Sequence, residues 1–188
     1  MSSLREFKTC YTAEEIAWGN EFKPLLGKTK RWEGFTLLVN DLLAKPKPVI
    51  IETGTLREPG NWAGDGQSTL VWQWVMEHKP GLAISVDWDT EAAKRASELC
   101  PNVHVVAQDS ISFLRGFLPY SIDLLYLDSM ENPMHQMGEL CAIWDRLPSG
   151  CLIDSDDSPT KGALMAAVLK GIKVPQLLDS YISVWQKP

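Results

Sequence analysis

The residues of this 188-residue sequence best suited to chemistry are carboxylates at recurrent positions. Glu52, Asp87, Asp109 and Asp128 each close a short apolar run, and a fifth run, Cys151-Leu-Ile153, ends in Asp154-Ser-Asp-Asp157. Carboxylates gathered on one edge repel one another, so such an edge calls for water, a cation or donor-rich ligand groups. Asp128, Asp156 and Asp157 could together hold one hard divalent cation, because oxygen donors suit Mg²⁺, Ca²⁺ or Mn²⁺. The plainer alternative is that Asp156 and Asp157 cap a helix beginning near Pro159 while Asp128 orders its loop. His135 stands four residues before Glu139 on an expected helix, so the two share a face and the carboxylate could orient the imidazole as a general base. A solvated surface pair is the alternative. His78 and His104 read as structural.

The elements that must position these residues follow from pattern. Val49–Ile51, Ala83–Val86, Val103–Val106, Ile122–Leu127 and Cys151–Ile153 read as strands, and Gln67–His78, Thr90–Leu99, Ser110–Phe117 and Pro133–Arg146 as the helices between them. This β-α alternation predicts an α/β fold, a Rossmann-like doubly wound parallel sheet with helices on both faces. Ligands in such sheets bind beyond the carboxyl ends of the strands, where the acids lie. Before Pro48 the sequence is helical, with a capping box at Thr12-Ala-Glu-Glu15. The division expected is a helical cap over 1–47 and one compact domain over 48–188.

A net charge of −6 speaks against a nucleic-acid partner, which needs a surplus of Lys and Arg. No stretch approaches the length of a membrane span, and the first ten residues lack an apolar targeting core, so a cytoplasmic protein is expected. The four cysteines form no paired motif and read as reduced. Eight tryptophans are scattered along the chain, and some should line a pocket.

Glu52-Thr-Gly-Thr55 with Gly66-Gln-Ser-Thr69, then Asp87, Asp109-Ser110, Asp128 and Leu147-Pro-Ser-Gly150 before Asp156-Asp157, resembles the class I S-adenosylmethionine-dependent methyltransferases. The resemblance covers about residues 31–188 and is strongest to the small O-methyltransferase-like group. It implies a seven-stranded sheet ending in an antiparallel hairpin, which Val174–Leu178 and Tyr181–Gln186 can supply. S-adenosylmethionine presents an amino group, a sulfonium, ribose hydroxyls and an adenine amine, all suited to carboxylates, and the compact G-x-G-x-x-G turn of nicotinamide sites is missing.

On that resemblance Glu52, directly or through the Gly54 turn, serves the methionine amino end, Ser68 offers donors to the methionine carboxylate, and Thr55, Gly66 and Gln67 are further cofactor-binding residues. Asp87, with Asp89 as rival, takes the ribose hydroxyls. Trp88 packs on adenine, and Asp109 and Ser110 meet its edge. Asp128 stands between cofactor and acceptor, and His135 or a metal on Asp128, Asp156 and Asp157 assists proton removal. Ten residues, Leu56–Asp65, lengthen the glycine loop; with Arg57 and Trp62 they read as a lid or an acceptor wall, or as a surface insertion. Met130 stands where some metal-dependent relatives carry a further acid. The expected activity is O-methylation of a small molecule. A different S-adenosylmethionine-consuming reaction and a non-catalytic binding module are the alternatives, and a homo-oligomer is left open.

Overall fold

In the computed structural model, which describes residues 11–62, 66–117, 121–157, 159–170 and 181–188, two helices precede the sheet, α1 (Ala13–Leu26) and α2 (Trp32–Ala44). Thr12 Oγ1 accepts the Glu15 N–H at 3.2 Å and the Glu15 carboxylate accepts the Thr12 N–H at 2.8 Å, the expected reciprocal cap. The chain then alternates β1 (Val49–Thr53), α3 (Ser68–His78), β2 (Leu82–Asp87), α4 (Thr90–Leu99), β3 (His104–Ala107), α5 (Ser110–Gly116), β4 (Leu124–Leu127), α6 (Pro133–Ile143), β5 (Leu152–Ser155), α7 (Ala163–Lys170) and β6 (Ser183–Gln186). The fourth strand starts two residues later than expected, and just before it the Asp123 carboxylate accepts the Val49 N–H at 2.9 Å.

The strand order is β3-β2-β1-β4-β5-β6, with β6 antiparallel to β5 and the other pairings parallel. Six strands, not the seven expected, are present among the described residues. Val174–Leu178, the other arm of the expected hairpin, lies outside them.

Period-two alternation sends strand side chains to two cores. Ile50, Leu124, Tyr126, Leu152 and Val184 pack with α1, α2, α3 and α4, while Ile51, Leu125, Leu127, Ile153 and Trp185 pack with α5, α6 and α7. The first two helices therefore share the sheet's own core. Tryptophan explains much of that packing: Trp18 stacks on Phe22 with centroids 4.3 Å apart, and Trp74 stacks on His78 at 3.9 Å. His78 is structural, its Nδ1 lying 2.8 Å from the Trp74 carbonyl.

The strand order reverses between β1 and β4, and there the backbones nearly touch. A β-carbon on Gly54 would stand 2.3 Å from the Asp128 carbonyl oxygen, and its φ of 86° is one that L side chains rarely adopt. Among the described residues no helix is long and apolar enough to cross a membrane.

Candidate active site

Two cavities open at this reversal. The larger, about 640 Å³, is lined by Gly54, Asp87, Trp88, Asp89, Asp109, Ser110 and His135. Asp87 is buried at the end of β2; its Oδ2 accepts the Thr55 N–H at 3.2 Å and its Oδ1 the Asp89 N–H at 2.9 Å. Each oxygen keeps a lone pair for a further donor. Asp89 is engaged differently, capping α4 through the N–H groups of Glu91 and Ala92. Trp88 is 74% exposed and belongs to neither core, so its ring is available as a wall of the cavity. Asp109 caps α5, accepting the Ser112 N–H at 2.8 Å, and the Ser112 hydroxyl together with that N–H holds its carboxyl below the usual range.

His135 lies at this same end. Its Nε2 is 3.2 Å from Ser110 Oγ and 3.4 Å from Glu139 Oε1, and the hydrogen bond to Glu139 raises its pKa. Glu139 is fully buried and also accepts the Ser129 hydroxyl at 2.6 Å. The expected His135–Glu139 pair is formed, beside the first residue of α5.

Glu52 is 1% exposed and lines neither cavity. Its Oε2 accepts the hydroxyls of Thr69 at 2.8 Å and Ser85 at 2.6 Å, and its Oε1 the Trp72 indole N–H at 2.9 Å. Burial pushes its carboxyl up to about 7 against those bonds and one from Ser68. As placed, Glu52 ties β1 to α3 and β2. Gln67 is engaged within the protein as well. Its amide donates to the Glu58 carbonyl at 2.6 Å and accepts the Gly60 N–H at 3.1 Å, anchoring the loop after β1. Gly66 turns with φ of 71°, where a β-carbon would stand 2.1 Å from the Thr55 carbonyl oxygen. Trp62 sets its edge against Phe22 at 5.6 Å, packing the loop onto α1; residues 63–65 of that loop lie outside the described residues.

The smaller cavity, about 370 Å³, is strongly polar, with Arg31, Thr55, Asp128, Asp157, Lys161 and Tyr181 in its walls. Arg57, Ser129 and Glu131 line both cavities and mark their junction. Ligand atoms of Asp128, Asp156 and Asp157 come within 4.8 Å of one another, so the expected acidic trio is brought together. Two cations, however, stand among them. Arg31 Nη2 and Nε meet the two Asp156 oxygens at 2.7 and 3.3 Å, and Lys161 Nζ bonds Asp128 Oδ1 and lies 3.2 Å from Asp157 Oδ2. Burial opposes both positive charges, yet Asp156 for Arg31 and Asp128 for Lys161 hold their pKa values above the ordinary range. Burial also pushes the Asp128 carboxyl up, with Lys161 pulling the other way. Asp157 adopts φ of 50°, a sparsely populated region for a residue with a side chain.

Sequence reasoning missed Arg31, Lys161 and Tyr181. Lys161 carried a usable signal, the i, i+4 spacing from Asp157; Arg31 and Tyr181, which stack cation over ring at 4.7 Å, come from distant segments.

The cavities fit S-adenosylmethionine on two observations. Asp87 sits with spare acceptor capacity at a strand end, and the Thr55 hydroxyl is buried at the polar cavity with no hydrogen-bond partner among the described residues. Similarity to known proteins agrees. The methyltransferase domain family matches residues 62–158, just over half of the chain. No curated protein matches the sequence. Among solved structures, the MycE methyltransferase from the mycinamycin biosynthetic pathway, in complex with Mg, SAH and mycinamycin VI, superposes with a TM-score of 0.65 at 14% identity; the match covers 93% of this chain and 54% of that one, so the chain spans about half of MycE. N-methyltransferase NodS from Bradyrhizobium japonicum WM9 gives 0.56 at 12% identity, covering 85% and 97%. The O-methyltransferase NovP gives 0.56 at 12%, covering 84% and 79%. At these identities the structures speak for the fold, and the family match for the activity: the chain belongs to the methyltransferase domain family and is a class I S-adenosylmethionine-dependent methyltransferase.

Proposed function

We propose that this enzyme methylates a hydroxyl oxygen of a small molecule held in the polar cavity, within the small O-methyltransferase-like group. The observation that carries this reading is the cavity itself: about 370 Å³, polar, cation-bearing and joined to the larger cleft at Arg57, Ser129 and Glu131. That volume suits a small acceptor.

S-adenosylmethionine supplies a methyl group on a sulfonium that is open to in-line displacement. Around it, Asp87 accepts the ribose hydroxyls, Trp88 covers adenine, and Asp109 and Ser110 meet the adenine edge. His135 belongs to this end, where it fixes Ser110. Gly54, Thr55, Gly66 and Ser68 shape the methionine end, with Glu52 and Gln67 acting through the backbone that they hold. Asp128 faces the acceptor and takes its hydroxyl proton. Arg57, exposed at the junction, pairs with an anionic group on the acceptor. Residues 1–47 complete the acceptor cavity from one side through Arg31, and residues 48–188 form the cofactor domain.

A second reading places a divalent cation on Asp128, Asp156 and Asp157, favoured by their convergence within 4.8 Å. As they stand the three do not fit one without rearrangement, because Arg31 and Lys161 already hold four of their six oxygens.

The test is transfer of label from methyl-labelled S-adenosylmethionine to a panel of phenols, sugars and hydroxy acids, with amines and RNA alongside. Label in an ether linkage is the expected product. Label on nitrogen or RNA alone, or cofactor breakdown without transfer, overturns the reading.

A further inference from the structure

We propose that Lys161 holds the place of a divalent cation in the acceptor site, so that a fixed ammonium, and not a metal ion, orients the acceptor oxygen for methyl transfer. The inference rests on the acceptor occupying the polar cavity. Three carboxylates converge as a metal site would require, but their inner oxygens are spoken for. Arg31 occupies both oxygens of Asp156, and Lys161 occupies one each of Asp128 and Asp157. The Lys161 side chain is only 4% exposed, so its charge has been taken out of water and placed between two carboxylates. An uncompensated ammonium would be costly there; Asp128 and Asp157 supply the opposite charge.

An ammonium has three donors, and Asp128 and Asp157 use two. Lys161 also lines the cavity, so the third N–H is the donor left for a bound oxygen. Tyr181 over Arg31, at 4.7 Å, and the two-pronged bond to Asp156 fix the neighbouring cation and keep it from competing for that role. In the transfer step the acceptor O–CH₃ bond forms as the S–CH₃ bond breaks, the hydroxyl proton passes to Asp128, and the sulfonium charge is lost. Lys161 stays protonated throughout and stabilises the negative charge that develops on the oxygen.

The deciding experiment is titration of the purified full chain with Mn²⁺ alone, followed by electron paramagnetic resonance, for the wild type and for Lys161→Ala. The wild type should leave the free Mn²⁺ signal unchanged, whereas Lys161→Ala, which frees one oxygen each of Asp128 and Asp157 while Arg31 keeps Asp156, should bind one Mn²⁺ per chain through those two carboxylates. Calorimetry with S-adenosylhomocysteine should give the same affinity for both proteins, since Lys161 lies outside the larger cleft. Label transfer should fall about 100-fold in the variant and be indifferent to EDTA in the wild type. Stoichiometric Mn²⁺ binding by the wild type overturns the proposal, and that arm decides the matter even if the variant does not fold. A Lys161→Ala protein that folds, keeps its turnover and gains no Mn²⁺ also overturns it. Label found on nitrogen would sink the O-methylation reading while leaving the metal exclusion standing.

Discussion

Arg31 and Asp156, 125 positions apart in sequence, meet in a two-pronged ion pair, Nη2 to Oδ2 at 2.7 Å and Nε to Oδ1 at 3.3 Å, with side-chain exposures of 10% and 1%. Breaking one side of such a pair strands the other charge in the interior. Arg31→Ala should therefore cost about 3–5 kcal/mol of stability, and Arg31→Met combined with Asp156→Leu distinctly less. Urea denaturation of the three proteins measures this. Equal losses for the single and double variants would mean that the pair is worth no more than its packing.

Glu52 makes stability depend on pH in a defined direction. Its folded-state pKa is raised from 4.5 to about 7 by burial, so the folded protein binds the extra proton between those values. The contribution is fully present below pH 4.5 and is lost as pH rises through 7, and it amounts to at most about 3 kcal/mol. Glu52→Gln should flatten this part of the profile. Denaturant midpoints at several pH values read it directly, and parallel profiles for wild type and variant would show that Glu52 is already ionised at pH 5.

Asp87 and Trp88 are neighbours with opposite structural weights. Asp87 is buried and holds the Thr55 and Asp89 N–H groups, so Asp87→Ala should weaken S-adenosylmethionine binding beyond detection and also lower stability. Trp88, 74% exposed, should be replaceable by Ala with a stability change within about 0.5 kcal/mol, because it packs in neither core. Its loss should weaken cofactor binding roughly 10-fold through the missing adenine face. Calorimetry paired with thermal melts separates the two effects.

His135 discriminates between a proton-transfer role and a cofactor-side role. Placed 3.2 Å from Ser110 Oγ, it should affect the cofactor more than the chemistry. His135→Ala is expected to raise KM for S-adenosylmethionine while leaving kcat at saturation nearly unchanged. A large fall in kcat with an unchanged KM would return the general-base role to His135.

The fold was readable because its signals are local and periodic. Runs such as Ile122–Leu127 bounded by helical stretches mark parallel strands buried on both faces, and Thr12 with Glu15 announces a helix start three residues away. The acids at the strand ends were readable for the same reason, since topology alone carries them to one edge. What resisted reading was the way buried polar groups choose partners. Nothing in the pattern around Glu52 says that Thr69, Trp72 and Ser85 will consume its oxygens, or that Gln67 will turn to Glu58 and Gly60. Nor does the pattern around Trp62 say that its ring will meet Phe22 of α1 edge-on. Arg31 and Lys161 were hidden because ion pairing across the fold leaves no periodic trace; only the Asp157–Lys161 spacing hinted at it.

The polar cavity takes Arg31 from before the sheet and Tyr181 from beyond α7, whereas the larger cleft runs only from Gly54 to His135. The two halves of the active site therefore mature at different times. As the chain emerges from the ribosome, the pieces of the cleft are complete roughly a quarter of the chain earlier than those of the cavity, and closing the longer loop is entropically slower. The polar cavity is thus the later of the two to have all its pieces on a growing chain, since it waits for Tyr181.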